Sequence, residues 1–72
     1  MAWVEFQAFT SSNIAAIRYD QELSVLEVSF HNGGTYEYYD VPAQVAVDFD
    51  KAGSKGEFLA EHIKGAYRYS RI

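Results

Sequence analysis

The chain has 72 residues, a formal net charge of −4 and no cysteine, so it is long enough for one small domain and has no disulfide or thiolate metal site. Six Tyr, five Phe and one Trp supply large side chains for its core. The N-terminal residues lack the features of a signal peptide, and no apolar run is long enough to span a membrane. The sequence therefore predicts a single soluble, cytoplasmic domain over residues 1–72.

The first part of the chain is predicted to form two strands. Residues 3–9 alternate weakly between apolar and polar side chains, which favours an edge strand, paired either within the monomer or with a second copy in a weak homodimer. A polar turn at residues 10–13 precedes a second strand at residues 14–20. The side chains expected on the inner face of this second strand are Ala15, Ile17 and Tyr19.

Residues 25–41 have the pattern of a β-hairpin. The apolar positions that alternate with polar ones are Leu26, Val28, Phe30, Tyr36 and Tyr38. Because side chains alternate with a period of two, only a loop with an odd number of residues places both sets on one face. We therefore expect a three-residue loop at residues 32–34, with Phe30 opposite Tyr36 and Gly34 in the left-handed conformation.

Two short helices are predicted after the hairpin. Pro42 cannot donate to a sheet and suits the first turn of a helix, and Asp40 is close enough to cap it. Apolar residues then recur every three or four positions. The spacing of Ser54 and Glu57 is typical of a capping box, which predicts the start of a second helix. The closing residues 66–72 are expected to be extended or irregular.

Strands followed by helices indicate an α+β fold, in which an antiparallel meander of three to four strands carries two short helices packed on one face. The other face of the sheet, the outer face, is then expected to be exposed to solvent. The side chains predicted to lie on it are Arg18, Glu27, Ser29, His31, Thr35, Glu37 and Tyr39.

Four segments of the chain, in this order, resemble the KTSC domain family: SSNIAAIRYD (11–20), LEVSFHNGGTYEYYDVP (26–42), SKGEFLAEHIKG (54–65) and YRY (67–69). The resemblance covers about residues 10–71 and includes the central Tyr36-Glu37-Tyr38 motif. The family is named for a domain at the C-terminus of some lysyl-tRNA synthetases and also occurs as small stand-alone proteins, so the resemblance implies an association with RNA. Family members often have Asn and a basic residue near positions 60 and 61, and Ala60 and Glu61 here weaken the case for an RNA contact on the second helix.

The C-terminal segment interleaves cations with aromatic rings, as a strip that follows a nucleic-acid backbone and stacks on bases would. Residues 62–72 have three basic side chains and no acidic one, a net charge of +3; residues 1–61 have three basic and ten acidic ones, a net charge of −7. The alternative is a solvated basic terminus that balances an acidic body. The residues predicted to bind nucleic acid are Arg18, Tyr39, Lys64, Tyr67, Arg68, Tyr69 and Arg71.

Tyr36 and Tyr38 have the side chains of stacking platforms for unpaired bases. The parity of the hairpin places both rings on the inner face, where packing beneath the helices is the favoured interpretation.

No pattern indicates an enzyme, and no cofactor is expected. His62 has no nucleophile or orienting carboxylate placed with it and is expected to be partly buried, and His31 is expected at the surface beside the turn. Two histidines without cysteines, at no ligand spacing, indicate no metal site.

Two non-catalytic functions remain. The first is a small module that binds tRNA or single-stranded RNA through its C-terminal segment and the outer face. The second is a protein-interaction domain that uses an unpaired sheet edge or the rings of Trp3, Phe9 and Tyr39. The acidic body of the chain favours the second function, and the salt dependence of binding distinguishes the two.

Overall fold

The computed structural model describes residues 2–72 and confirms the α+β class. Within these residues one antiparallel sheet contains five strands in sequence order: β1 (Trp3–Glu5), β2 (Ile14–Asp20), β3 (Val25–Phe30), β4 (Thr35–Tyr38) and β5 (Tyr69–Arg71). Between β4 and β5 lie α1 (Ala43–Lys51) and α2 (Lys55–Phe58), and α2 continues directly into a π-helical turn at Leu59–Ile63. None of the helices in residues 2–72 has the length and apolar character needed to cross a membrane.

The sheet of the described residues has one strand more than the three to four that the sequence predicts. This strand is β5, and it lies in the segment that was expected to be extended or irregular. It pairs with β4, so that Arg71 is opposite Tyr36 and Tyr69 is opposite Tyr38. A strand of three residues is too short for its alternation to be distinguished from a loop. This pairing brings the C-terminal cations and rings onto the sheet.

β1 is an edge strand of the monomer's own sheet. It pairs antiparallel with β2, placing Val4 opposite Tyr19, and the amide of Phe6 donates to the carbonyl of Ile17 at 3.0 Å. The edge strand predicted over residues 3–9 therefore forms at residues 3–5, and it forms within the monomer.

β2 departs from simple alternation at its start. The register shifts between Ile14 and Ala16, so Ala15 is the extra residue of a β-bulge. Ala15 is exposed and Ile14 is buried, so the prediction that Ala15 faces the core is wrong. Ile17 and Tyr19, beyond the bulge, are buried as predicted.

The β3–β4 hairpin has a three-residue loop, as predicted, but the loop begins one residue earlier. The amide of Phe30 donates to the carbonyl of Gly34 at 2.8 Å, so the loop consists of the three residues between them. Gly33, with a φ of +97°, takes the left-handed conformation that was assigned to Gly34. Tyr36 therefore lies opposite Val28 and not Phe30, and the shift of two residues leaves its ring on the predicted inner face.

The core lies between the inner face of the sheet and the helices. Its buried apolar residues are Ile14, Ile17, Tyr19, Leu26, Val28, Tyr38, Val41, Ala46, Phe49, Leu59 and Ile63. The hydroxyl of Tyr19 donates to the carbonyl of Val41 at 2.6 Å, which ties β2 to the segment that enters α1.

The helix ends are capped partly as predicted. The Oγ of Ser54 accepts from the amide of Glu57 at 3.3 Å, which is one half of the predicted capping box. Within residues 2–72 the return bond, from the amide of Ser54 to the carboxylate of Glu57, is not formed. Asp40 does not cap α1, whose N-cap is Pro42; its carboxylate instead pairs with Arg68 at 2.8 Å. That prediction is wrong because Asp40 takes a left-handed φ of 57°, which turns the chain between β4 and α1.

The π-helical turn changes which residues face the core. A π turn advances by a smaller angle per residue than an α-helix, so Ile63 is buried and its neighbour His62 is exposed. The prediction that His62 is partly buried is therefore wrong. Its ring lies against Phe58, with the ring centroids 4.7 Å apart.

A candidate aromatic and basic cleft

A cleft of about 880 Å³ opens on the inner side of the sheet where β3, β4 and β5 meet. The β3–β4 turn, residues 12–13 and residues 64–65 form its rim. We call it the aromatic cleft and define it by six side chains: Phe30, Tyr36, Tyr38, Lys64, Tyr69 and Arg71. Its volume lies within the range of about 300–1,000 Å³ typical of ligand sites.

Four rings follow one another through the aromatic cleft. The ring centroids of Phe30 and Tyr36 are 5.8 Å apart, and the ring of Tyr69 lies 5.8 Å from Tyr36 and 5.9 Å from Tyr38. The strand register produces this arrangement, because Tyr36 and Tyr38 are two residues apart on β4 and Tyr69 is directly opposite Tyr38.

Two cations flank the rings. The Nζ of Lys64 lies 5.9 Å from the centroid of Phe30, and the Cζ of Arg71 lies 5.9 Å from that of Tyr36. Lys64 follows the π-helical turn directly, and its amide donates to the carbonyl of Leu59 at 2.8 Å. No acidic residue lines the cleft, although the chain has ten.

Tyr38 forms part of both the cleft and the core. Only 4 % of its surface is exposed, which agrees with the prediction that it packs beneath the helices. Burial raises the pKa of its phenol, and the nearby phenols of Tyr36 and Tyr69 raise it further. The group is therefore a neutral hydrogen-bond donor at physiological pH.

The predicted nucleic-acid-binding residues do not lie together. Lys64, Tyr69 and Arg71 line the aromatic cleft. Tyr67 is half-buried against the core and lies outside the cleft. The remaining three residues lie in two other places.

Arg18 lies on the outer face. Its guanidinium donates to both carboxylate oxygens of Glu27, at 2.9 and 3.0 Å, and lies 4.2 Å from the ring centroid of Trp3. The hydrogen bond to Glu27 raises the pKa of Arg18 above its ordinary value. Arg18 is therefore separated from the cleft by the sheet and is already paired with an anion.

Tyr39 and Arg68 form a pair beside the start of β5. The Cζ of Arg68 lies 5.7 Å from the ring centroid of Tyr39, and its guanidinium contacts the carboxylate of Asp40. The hydroxyl of Tyr39 donates to Glu37 at 3.3 Å. Neither residue lines the aromatic cleft.

The outer face carries more negative than positive charge. A row of four charged side chains crosses the sheet from β1 to β4, one from each strand: Glu5, Arg18, Glu27 and Glu37. Three carboxylates therefore surround one guanidinium, a poor surface for phosphate groups.

The three aromatic side chains expected to be exposed, those of Trp3, Phe9 and Tyr39, are all half-buried. Trp3 lies under the guanidinium of Arg18, and Phe9 packs against the core with the Nζ of Lys55 at 5.4 Å from its centroid. Lys55 is itself buried and donates to backbone carbonyls at the end of α1. In residues 2–72, no three His, Asp or Glu side chains are grouped so that they could hold a metal ion.

Sequence reasoning did not identify Phe30 as a site residue, and it considered Tyr36 and Tyr38 as stacking platforms but favoured core packing for both. The inner-face positions of Phe30 and Tyr36 follow from the alternation, but both are only half-buried because the helices leave the β4–β5 side of that face uncovered. The signal that could have identified them is the strand pairing of residues 69–71, which widens the sheet beyond what two short helices cover.

The five-stranded meander and its two helices define a small α+β domain with an open cleft. The model of the KTSC domain family matches residues 10–67. The chain belongs to the KTSC domain family.

The chain is similar both to a segment of much longer proteins and to proteins of about its own length. Lysine–tRNA ligases of Nostoc sp. and Nostoc punctiforme are 38% and 36% identical to it over 61 residues, which is 85% of this chain but 11% of each ligase. A small protein of Tsukamurella paurometabola is 39% identical over 62 residues, 86% of this chain and 92% of that protein. The crystal structure of a KTSC domain protein from Yersinia pestis superposes with a TM-score of 0.90, at 38% identity and over 99% of both chains.

Proposed function

We propose that this protein is a non-catalytic module, one domain over residues 1–72, that binds unpaired RNA in the aromatic cleft. One observation carries the proposal: a chain with a net charge of −4 has a cleft lined by two cations, four aromatic rings and no carboxylate. Cations attract phosphates and aromatic rings stack on exposed bases, and proteins that bind single strands combine the two.

The cleft is a better candidate than the outer face or the whole C-terminal segment. Glu5, Glu27 and Glu37 on the outer face repel phosphates, and Arg18 and Arg68 are already paired with carboxylates. Within residues 2–72 the cations of the cleft, Lys64 and Arg71, have no carboxylate partner, and each lies near an aromatic ring.

The relatives support an association with tRNA. The lysine–tRNA ligases, which are named for that RNA, contain a segment similar to most of this chain, while the Tsukamurella protein consists of little else. We infer a binding module that serves either within a larger enzyme or alone, in the cytoplasm where tRNA is charged.

Fluorescence anisotropy with labelled single-stranded RNA and with bulk tRNA tests the proposal. Binding should be detectable at low salt and weaken as salt is added, because bound phosphates release counterions. Lys64→Ala should weaken it, whereas Lys51→Ala, which removes the same charge from the exposed end of α1, should not. Absence of binding by the wild-type protein at low salt, where charge attraction is strongest, would overturn the proposal.

A protein-interaction domain is the second candidate. The unpaired edge of β1 supports it, since Val4 is 66% exposed there. A strand of three residues offers few backbone hydrogen bonds to a partner, so this candidate ranks second. A partner whose affinity is insensitive to salt, with no RNA bound, would favour it.

A further inference from the structure

The hydroxyl of Tyr38 is an unpartnered polar group at the floor of the aromatic cleft. Only 4% of the surface of the residue is exposed, and no hydrogen bond joins its hydroxyl to another atom of residues 2–72. No fully buried side-chain oxygen or nitrogen of these residues lacks a partner, so this hydroxyl must contact solvent. The cleft is the open space that Tyr38 lines.

We propose that the Tyr38 hydroxyl hydrogen-bonds to the edge of a base stacked on Tyr69, which makes the cleft selective for base type. This inference rests on the proposed function and deepens it. It assigns the general attraction for RNA to Lys64 and Arg71 and the choice of base to Tyr38.

Tyr69 and Tyr38 lie close enough for one base to contact both residues. Tyr69 is 60% exposed, which leaves surface available for a base to stack on. Its centroid lies 5.9 Å from that of Tyr38, so a base on the Tyr69 ring lies within reach of the neighbouring hydroxyl.

Burial makes Tyr38 suited to reading a base edge. Its ring is held by the core, so the hydroxyl has a fixed position, and a fixed donor or acceptor discriminates between bases better than a mobile one. Phosphate contacts from Lys64 and Arg71 carry no sequence information. The amides of Asn13 and Asn32 also line the cleft, but they lie exposed on its rim, and their Oδ1 atoms already accept from Ser11 and Gly34.

The test uses three labelled homohexamers, of A, C and U, with the wild-type protein, Tyr38→Phe and Tyr67→Phe. Tyr38→Phe retains the buried ring and removes only the hydroxyl, and Tyr67→Phe removes a hydroxyl from a half-buried ring outside the cleft. The wild-type protein should prefer one hexamer by about two- to tenfold, the range that one neutral hydrogen bond contributes. Tyr38→Phe should bring the ratio of affinities close to one while all three hexamers still bind, and Tyr67→Phe should leave the ratio unchanged.

The outcomes separate this inference from the proposed function. Equal affinities for the three hexamers, or a preference that Tyr38→Phe retains, would overturn the reading role of Tyr38 and leave RNA binding in place. Failure of the wild-type protein to bind any hexamer would overturn both.

Discussion

Tyr38 belongs both to the core and to the cleft. It is one of the buried residues of the core cluster, and it also lines the cleft. We expect Tyr38→Ala to lower the free energy of unfolding by about 3 kcal/mol, because a large buried side chain leaves a cavity. Tyr69→Ala is the matched control and should lower it far less, since Tyr69 is 60% exposed. Urea unfolding of both variants makes the comparison, and equal losses would contradict the inward placement of Tyr38.

The same burial predicts how stability depends on pH. Burial raises the pKa of the Tyr38 phenol above its ordinary value of 10.0, so the folded protein retains this proton at a pH where the unfolded chain releases it. The stabilising contribution is complete below pH 10 and is lost as pH rises through the folded-state pKa. The free energy of unfolding should therefore fall more steeply above pH 10 in the wild-type protein than in Tyr38→Phe, by at most about 1.4 kcal/mol per pH unit. Parallel pH profiles of the two proteins in urea unfolding would contradict this.

At the scale of elements, alternation identified the hairpin and its faces but not the position of the loop. A shift of two residues leaves every side chain on the same face, so the pattern cannot distinguish a loop at residues 31–33 from one at residues 32–34. The bulge at Ala15 was unpredictable for a related reason: one extra residue reverses the alternation, and small side chains on both sides conceal the reversal.

The loop position leads to a prediction about its two glycines. Gly33 has a φ of +97°, whereas Gly34 is not among the residues with positive φ. Gly33→Ala should lower the free energy of unfolding by about 1–2 kcal/mol, the cost of a left-handed conformation in a residue with a Cβ. Gly34→Ala should have a smaller effect, since its Cβ would meet its nearest neighbours at 3.5 Å and beyond, ordinary contact distances. Thermal or urea unfolding of the two variants measures these effects. A larger loss of stability in Gly34→Ala would favour the loop at residues 32–34 that the sequence predicted.

The position of Lys64 depends on the π-helical turn. The helix-start pattern at Ser54 is visible in the sequence, but the change from α- to π-helical hydrogen bonding is not, because the same apolar residues suit both. The turn buries Ile63 and leaves Lys64 at the rim of the cleft. The sequence therefore identified Lys64 as a candidate binding residue, but it did not show which residues lie beside Lys64 in the folded protein.

At the scale of the whole molecule, charge is segregated between the two faces of the sheet. The outer face has a row of carboxylates around Arg18, and the cleft on the inner side has Lys64 and Arg71 without an acid. The positive charge of the C-terminal segment was evident from the sequence. The sequence did not show that part of this charge lies in the cleft and part pairs with Asp40, because this depends on strand pairing between residues far apart in the chain.

Substitution of Arg71 or Arg68 by Ala tests this division of charge, because each variant removes one positive charge from the same C-terminal segment. Arg71 lies in the cleft beside Tyr36, and Arg68 pairs with Asp40 outside it. If Lys64 and Arg71 each neutralise one phosphate, log K for single-stranded RNA should fall with log salt concentration with a slope of about −1.4, and Arg71→Ala should reduce the slope to about −0.7. Arg68→Ala should leave both the slope and the stability close to wild type, because exposed ion pairs contribute little. Anisotropy titrations at several salt concentrations measure the slopes, and equal effects of the two variants would mean that RNA follows the whole basic segment and not the cleft.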